Sequence, residues 1–264
     1  MGLFGFGKNK NTKEKNENSG NFVGFVLLSE ASADMPKLAE DLKNSLGTDV
    51  PYNESSDKNN IVISLGETLI TVSFMPAPVP NGEAEHYAKS NYMWKEAADT
   101  AKAHKAHIIA AVLGKSSDTI EKGKLFVKTV LSCLDQKYAA AVYSDGAVFE
   151  PSFYRDATSA MQNDALPVLN WVWFGIYRNE KKAGIYTYGM KKFGKDEMEI
   201  YADITNADLN EIRMFAVNIA IYVLENNVTL CHGETIGLTA EQKLPITRSK
   251  GIALDGHTLK IKYS

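Results

Sequence analysis

The sequence predicts an α+β protein with two parts. The first is a ferredoxin-like split β-α-β-β-α-β N-terminal part, extended by a helix and strands. The second is a C-terminal mixed or antiparallel sheet with one long helix. Three observations carry this reading. Between Phe22 and Leu113 the apolar pattern switches between strand and helix periods in that order. After Pro167 the texture changes to aromatic-rich strand segments. Leu209, Ile212, Ala216, Ile219, Ala220 and Val223 then form the best helical stripe in the chain.

The elements follow in chain order. From Lys8 to about Gly20 there is no apolar side chain. Such a stretch cannot bury enough surface to offset its ordering entropy, so 1–20 is expected to be a disordered tail. Lys8, Lys10, Lys13 and Lys15 make it basic, but Glu14 and Glu17 dilute the charge. That favours a solvated leader over an anchor to a polyanion. Met1–Ser19 should be dispensable for folding.

Phe22–Leu28 is an apolar run that reads as a buried strand. Asp34 can cap a helix with Pro36 in its first turn, running to Leu46 and stopping at Gly47. Tyr52–Asn60 is polar loop. Ile61, Ile63 and Leu65 alternate, Gly66-Glu67 turns the chain, and Thr68, Ile70, Val72 and Phe74 alternate back, which is a β-hairpin. Pro76, Pro78 and Pro80 forbid helix and central strand. Glu83–Lys105 reads as mostly helical, with Trp94, Ala97, Ala98 and Ala101 on one face, and His107–Leu113 as a strand. These four strands should form an antiparallel sheet with both helices on one face. A helix over Thr119–Leu134, strands Ala139–Tyr143 and Ala147–Phe149 around Asp145-Gly146, and a short helix over Ser152–Met161 complete an N-terminal α+β part at 21–166.

The C-terminal α+β part spans 167–264, and the two parts can share one core. Val168–Tyr177 and Gly184–Met190 read as strands. Trp171 and Trp173 would take one face of the first, and Val172 and Phe174 the other, which predicts a central, buried strand. Asp196–Ile200 is a third strand. Thr205-Asn-Ala-Asp208 resembles a capping box ahead of the long helix. Four short strands are expected between Val228 and Tyr263.

Composition narrows the function classes. The 264 residues carry a net charge of -3, and only Arg155, Arg178, Arg213 and Arg248 are arginines. A nucleic-acid binder normally shows a basic excess and more arginine, so no nucleic-acid partner is expected. Two cysteines, Cys133 and Cys231, suit a reduced intracellular protein. The start, MGLFGFGKNKN, lacks the order of a signal peptide, and Phe6 stands where a myristoylation signal needs Ser or Thr. No apolar run is long enough to span a bilayer. The expected setting is the cytoplasm, with no membrane association. The Lys/Asn-rich usage suits an AT-rich bacterial genome.

No catalytic constellation assembles in the sequence. Gly114-Lys115-Ser116 follows a strand and precedes a helix, but a phosphate loop needs a glycine where Ile109 stands. His104 and His107 form H-x-x-H, and Cys231-His232 offers two more soft ligands, yet zinc needs three or four converging ligands. A histidine ending a helix also favours its dipole, so both histidines read as structural. Glu197 and Glu199 would share a strand face, which reads as solvated. No cofactor or metal is expected. Trp94, His104, His107, Glu197, His232 and Arg248 are the residues to watch as a pocket or interface.

Two stretches carry a resemblance. Asn91-Tyr-Met-Trp-Lys-Glu-Ala97 runs into His104-Lys-Ala-His107 and an apolar strand. Later, Tyr188-Gly-Met190 continues through Phe193-Gly194-Lys-Asp-Glu197 and the long helix to His232-Gly-Glu-Thr-Ile-Gly237. After Phe22 most of the chain resembles the bacterial domain of unknown function 4261, whose activity is not established. The late stretch is also similar to suppressor-of-fused-like domains of bacteria. Several of those sit beside toxin genes, so that similarity implies an immunity-like role. Neither family supplies catalytic residues to transfer. The expectation is a non-catalytic cytoplasmic protein that binds another protein. The alternative is a hydrolase with a histidine-containing site. A deep pocket lined by several of the six residues would favour the enzyme, and a flat exposed face the binder.

Overall fold

The computed structural model describes residues 20–51, 57–115, 117–144 and 146–263. The expected disordered tail lies outside the described residues except for Gly20. So do most of the Tyr52–Asn60 loop, Ser116 of the Gly-Lys-Ser stretch and Asp145 of the expected turn.

β1 (Phe22–Leu28) leads to α1 (Met35–Leu46), which starts and ends as its sequence implies. Asp34 accepts a bond from the Lys37 amide, and Gly47 closes the helix with φ 66°. β2 (Asn60–Leu65) and β3 (Thr68–Met75) form the expected hairpin. The stretch expected as one helix is broken into α2 (Glu83–Ala88) and α3 (Ala97–Ala103). Between them the Asn91 side chain accepts from the amides of Met93 and Trp94, forming a turn where the helix would have continued. β4 (Ala106–Gly114), α4 (Thr119–Leu134), β5 (Ala139–Ser144), β6 (Ala147–Phe149) and α5 (Pro151–Thr158) follow.

The first sheet has the order β2-β3-β4-β1-β5-β6 and is antiparallel throughout. The α+β class and the chain order of elements match the sequence reading. The order across the sheet differs from a ferredoxin-like one, because β4 lies between β3 and β1. β4 is apolar on both faces, which suits the interior of a sheet. The helices also depart from expectation, since they do not share one face. α1 and α4 pack over Val26, Leu28, Ile108 and Val112. α2 and α3 cover Leu27, Ala141, Tyr143 and Val148 on the other side.

The second part begins with α6 (Val168–Trp171), a single turn where strand was expected. Trp171 sits on that turn and only Trp173 lies in β7 (Trp173–Arg178). β8 (Lys182–Tyr188), β9 (Met198–Asp203), α7 (Leu209–Glu225), β10 (Thr235–Ile236), β11 (Leu244–Lys250) and β12 (His257–Lys262) complete the chain. Three strands, not four, follow α7 among the described residues. The cap of α7 is Asp208 rather than Thr205. The Asp208 carboxylate accepts from the Asn210 and Glu211 amides.

The second sheet has the order β10-β11-β12-β9-β8-β7 and is mixed, with β12 parallel to β9. β7 is therefore an edge strand, not a central one. Its first residues are still buried because the first part roofs the edge. The Tyr92 hydroxyl donates to the Phe174 carbonyl at 2.7 Å, and Phe149 packs edge-on against Trp173 at 5.8 Å. Trp171 donates from Nε1 to the Gly123 carbonyl of α4 at 3.0 Å. One buried cluster runs from Phe22 through Trp171 to Ile261, so core side chains of both sheets are continuous.

Candidate functional site

The six watched residues fall into two groups. Trp94, His104 and His107 belong to the first part. Trp94 packs against the cluster under α2 and α3. His104 Nε2 accepts from the Val79 amide at 2.8 Å, and its Nδ1 faces the Ala101 carbonyl. His107 donates from Nδ1 to the Ala77 carbonyl at 2.8 Å. Both rings thus hold the Pro76–Pro80 segment, whose prolines remove backbone donors that would otherwise fix it. Burial lowers the His107 pKa, a shift the bond to Ala77 opposes.

Glu197, His232 and Arg248 belong to the second part. The Arg248 amide donates to His232 Nδ1 at 3.2 Å, and its Nε donates to Asp196 at 3.0 Å. Glu197 is close by in sequence but enclosed. Two clefts of about 620 and 530 Å³ among the described residues contain none of the six. Among the described residues no group of three or more His, Cys, Asp or Glu is placed to hold a metal.

The two glutamates overturn the expectation of a solvated strand face. Both are buried. Glu197 accepts from Thr187 Oγ1 at 2.7 Å and from the Gly189 and Lys191 amides at 2.9 and 3.2 Å. Burial raises its pKa to about 7 against the pull of these donors. Glu199 accepts from the amides of Ile252, Ala253 and Leu254 and pairs with Lys260. Each carboxylate therefore pins one turn onto the second sheet. Charged residues pass for surface residues in a sequence, and only the folded-over turns reveal their partners.

A cleft of about 620 Å³ lies between Ser117–Glu121, Phe193–Lys195 and Leu224–Asn227. One amide of its helix end is already capped, because Asp118 accepts from the Glu121 amide at 3.0 Å. Gly114, beside it, serves the hairpin. A Cβ there would lie 2.2 Å from the Glu67 carbonyl oxygen. Among the described residues, no set of groups converges there that could activate a substrate.

The feature that the sequence reading missed is a half of one face of the first sheet over which no helix packs among the described residues. α2 and α3 shield only the β1, β5 and β6 side of their face. Beyond them the register sets Val23, Ala111, Thr71 and Val62 in one row across four strands. A second row holds Ile109, Ser73 and Asn60, and a third holds Leu113, Leu69 and Ser64. None of these positions carries a charge. Val23, Val62 and Met75 are 40%, 47% and 41% exposed. With Leu69, Ile109 and Leu113 they join neither buried cluster. Lys58, Glu67 and Lys115 lie in the turns at the strand ends.

A solvated face of an antiparallel sheet is normally polar, with charges spaced along it. Here Val, Leu, Ile and Ala alternate with Thr, Ser and Asn across four strands without a charge. The small Ala111 and Thr71 form its middle, and Val23, Val62, Leu69, Ile109 and Leu113 surround them. The signal was present in the sequence, since the outward positions Val62, Ser64, Leu69, Thr71 and Ser73 of the hairpin include no charge.

Comparison with known proteins adds one match. Residues 186–262 match the family model of a domain of unknown function, DUF4261. The matched span runs from β8 to β12 and contains Glu197, Glu199, His232, Arg248 and Lys260. The Asn91–His107 stretch and the open face of the first sheet lie outside it. No curated protein and no solved structure matches the chain. Among the described residues no helix is long and apolar enough to cross a membrane.

Proposed function

We propose that this protein is a non-catalytic protein-binding domain that holds another protein against the open face of its first sheet. The observation that carries the reading is the uncharged Val23–Ala111–Thr71–Val62 row, flanked by Ile109, Leu69 and Leu113 and by uncharged Ser and Asn. Such a face loses little on desolvation and gains from burial, at about 25 cal/mol per Å² of apolar surface. Its charged neighbours sit at the rim, the usual arrangement for an interface. A cytoplasmic, immunity-like role, in which a harmful protein is held inactive, is one specific form of this reading.

The hydrolase alternative draws less support. A proton-shuttling imidazole needs a ring nitrogen that faces substrate. His104 and His107 direct theirs at backbone groups, and His232 accepts from the Arg248 amide.

The test is affinity capture from the source cell with the full chain and with the double variant Val62→Lys/Leu69→Lys. Both sites are outward, so the variant should fold. A protein that is retained by the wild-type chain and lost by the variant is the expected result. Equal retention by both would remove the open face from the reading.

A further inference from the structure

The edges of the two sheets are not treated alike. An edge strand presents a row of unpaired amides and carbonyls, and folded chains block it by shortness, charge, proline or a covering group. In β6 the residue facing the edge is Val148, and Asn91 Nδ2 donates to its carbonyl at 2.7 Å. In β7 the Phe174 carbonyl faces the edge, and the Tyr92 hydroxyl donates to it at 2.7 Å. The rest of that strand ends on the charged Arg178. Two consecutive residues, Asn91 and Tyr92, thus each plug one edge. β10, at the outer end of the second sheet, is only two residues long.

β2 carries none of these devices. Its six residues, Asn60–Leu65, include no charge and no proline, and its register with β3 has no bulge. The Phe74 amide donates to the Asn59 carbonyl at 2.8 Å, which fixes the direction of every group along the strand. Ile61 and Ile63 bond to β3, so Val62 and Ser64 turn their N–H and C=O groups to the edge. Among the described residues β2 pairs with β3 alone, and no side chain caps these four groups. Alternating donors and acceptors on a straight, extended row are complementary to one thing, another strand.

The sequence of β2 says which strand. Outward from Val62 come Ile61 and Ile63, then Asn60 and Ser64, a palindrome of polar, Ile, Val, Ile, polar. A second β2 turned about a two-fold axis at Val62 sets Val62 opposite Val62, Ile61 opposite Ile63 and Asn60 opposite Ser64. Like meets like at every position on both faces, and no charge opposes another. The two Val62 residues exchange a pair of backbone bonds, and Ser64 faces Asn60 at either end. Such a self-complementary patch is what an isologous dimer needs.

We infer that β2 is a dimerisation edge, through which two copies of this chain pair β2 to β2, antiparallel about Val62, and join their six-stranded first sheets into one. The Val23–Ala111–Thr71–Val62 row then continues into the same row of the second copy. The buried Ile61 and Ile63 bring the two cores side by side on the opposite face. The pairing concerns the edge and holds whatever the open face binds.

The experiment is sedimentation and light scattering of the full chain over a concentration series, with no other protein present. The wild type should dimerise. Ser64→Pro removes a donor that faces the edge and keeps the bonds to β3, so it should fold, as circular dichroism would show, and stay monomeric. Val62→Lys and Val62→Glu each oppose two like charges and should be monomeric alone, whereas an equimolar mixture of the two should recover the dimer. Leu69→Lys, on the open face of β3 and away from the edge, should leave the dimer intact.

A wild type that is monomeric at every concentration would overturn the inference. So would a dimer that Leu69→Lys dissociates and Ser64→Pro does not, which would place the contact on the open face. A Lys and Glu mixture that stays monomeric would overturn the pairing about Val62. A monomer whose captured partner is lost by Ser64→Pro would overturn the dimer and give the edge to a strand of another protein.

Discussion

Glu199 and Lys260 stand beside each other on the parallel strands β9 and β12, with Oε2 and Nζ 3.0 Å apart and side chains 0% and 8% exposed. The lysine also donates to the Lys250 carbonyl and Thr258 Oγ1, and the carboxylate receives three backbone amides from 252–254. The pair is thus the anchor of the Gly251–Gly256 turn. Removing one member of a buried pair leaves the other charge uncompensated, at a cost of about 3–5 kcal/mol. Lys260→Met and Glu199→Gln should each destabilise on that scale. The double variant should cost less than the sum of the two. Urea unfolding of the four proteins, with unchanged denaturant slopes, measures this.

Glu197 sets a pH dependence of unusual sign for a carboxylate. Its folded pKa is raised to about 7, above the ordinary value, because burial penalises the charge more than its donors repay. The folded state therefore binds the proton more tightly than the unfolded state. This contribution is fully present below the ordinary carboxylate pKa and is lost as pH rises through about 7. Glu197→Gln mimics the neutral acid. Its stability relative to wild type should rise by about 2–3 kcal/mol between pH 5 and 8. A difference that stays flat across that range would show that the carboxylate is ionised throughout.

Gly123 lies in the middle of α4, where alanine would ordinarily stabilise by about 1 kcal/mol. Here a Cβ would lie 2.9 Å from the Trp171 ring, whose Nε1 donates to the Gly123 carbonyl. Gly123→Ala should therefore lower the thermal midpoint and should perturb tryptophan fluorescence. Trp171→Phe in the same chain should recover part of the loss, by removing the clashing ring.

His104 and His107 hold the proline segment. His104→Ala/His107→Ala should open that segment to proteolysis between Met75 and Asn81, with little change in global unfolding. The His107 pKa is lowered by burial, so the unfolded chain takes up the proton first as pH falls. Its contribution to stability is present at neutral pH and is lost on acidification below the ordinary histidine range. His107→Gln should flatten that part of the profile. Elemental analysis of untagged protein should find no stoichiometric transition metal. One zinc per chain, lost in the double alanine variant, would revive the hydrolase reading.

Much of the fold was legible because it follows from local periodicity and caps. Asp34 and Gly47 bound α1, the Gly66-Glu67 turn joins β2 to β3, and the stripe of α7 packs on the second sheet. Errors arose where tertiary contacts reassign a local pattern. Trp171 and Trp173 read as neighbours on one strand, yet the first became a one-turn helix against Gly123. The helix expected through Trp94 gave way to a turn at Asn91.

The sequence by itself determined the class and most of the order of elements in the first part, because hydrophobic period and turn chemistry act over a few residues. Only the tertiary structure decided which strands are neighbours, which glutamates are buried and which sheet face is left open. Those outcomes depend on residues far apart in the chain. Glu199 is a surface residue until the 252–254 amides close over it, and Val62, Thr71, Ala111 and Val23 form a surface only once β4 enters between β3 and β1.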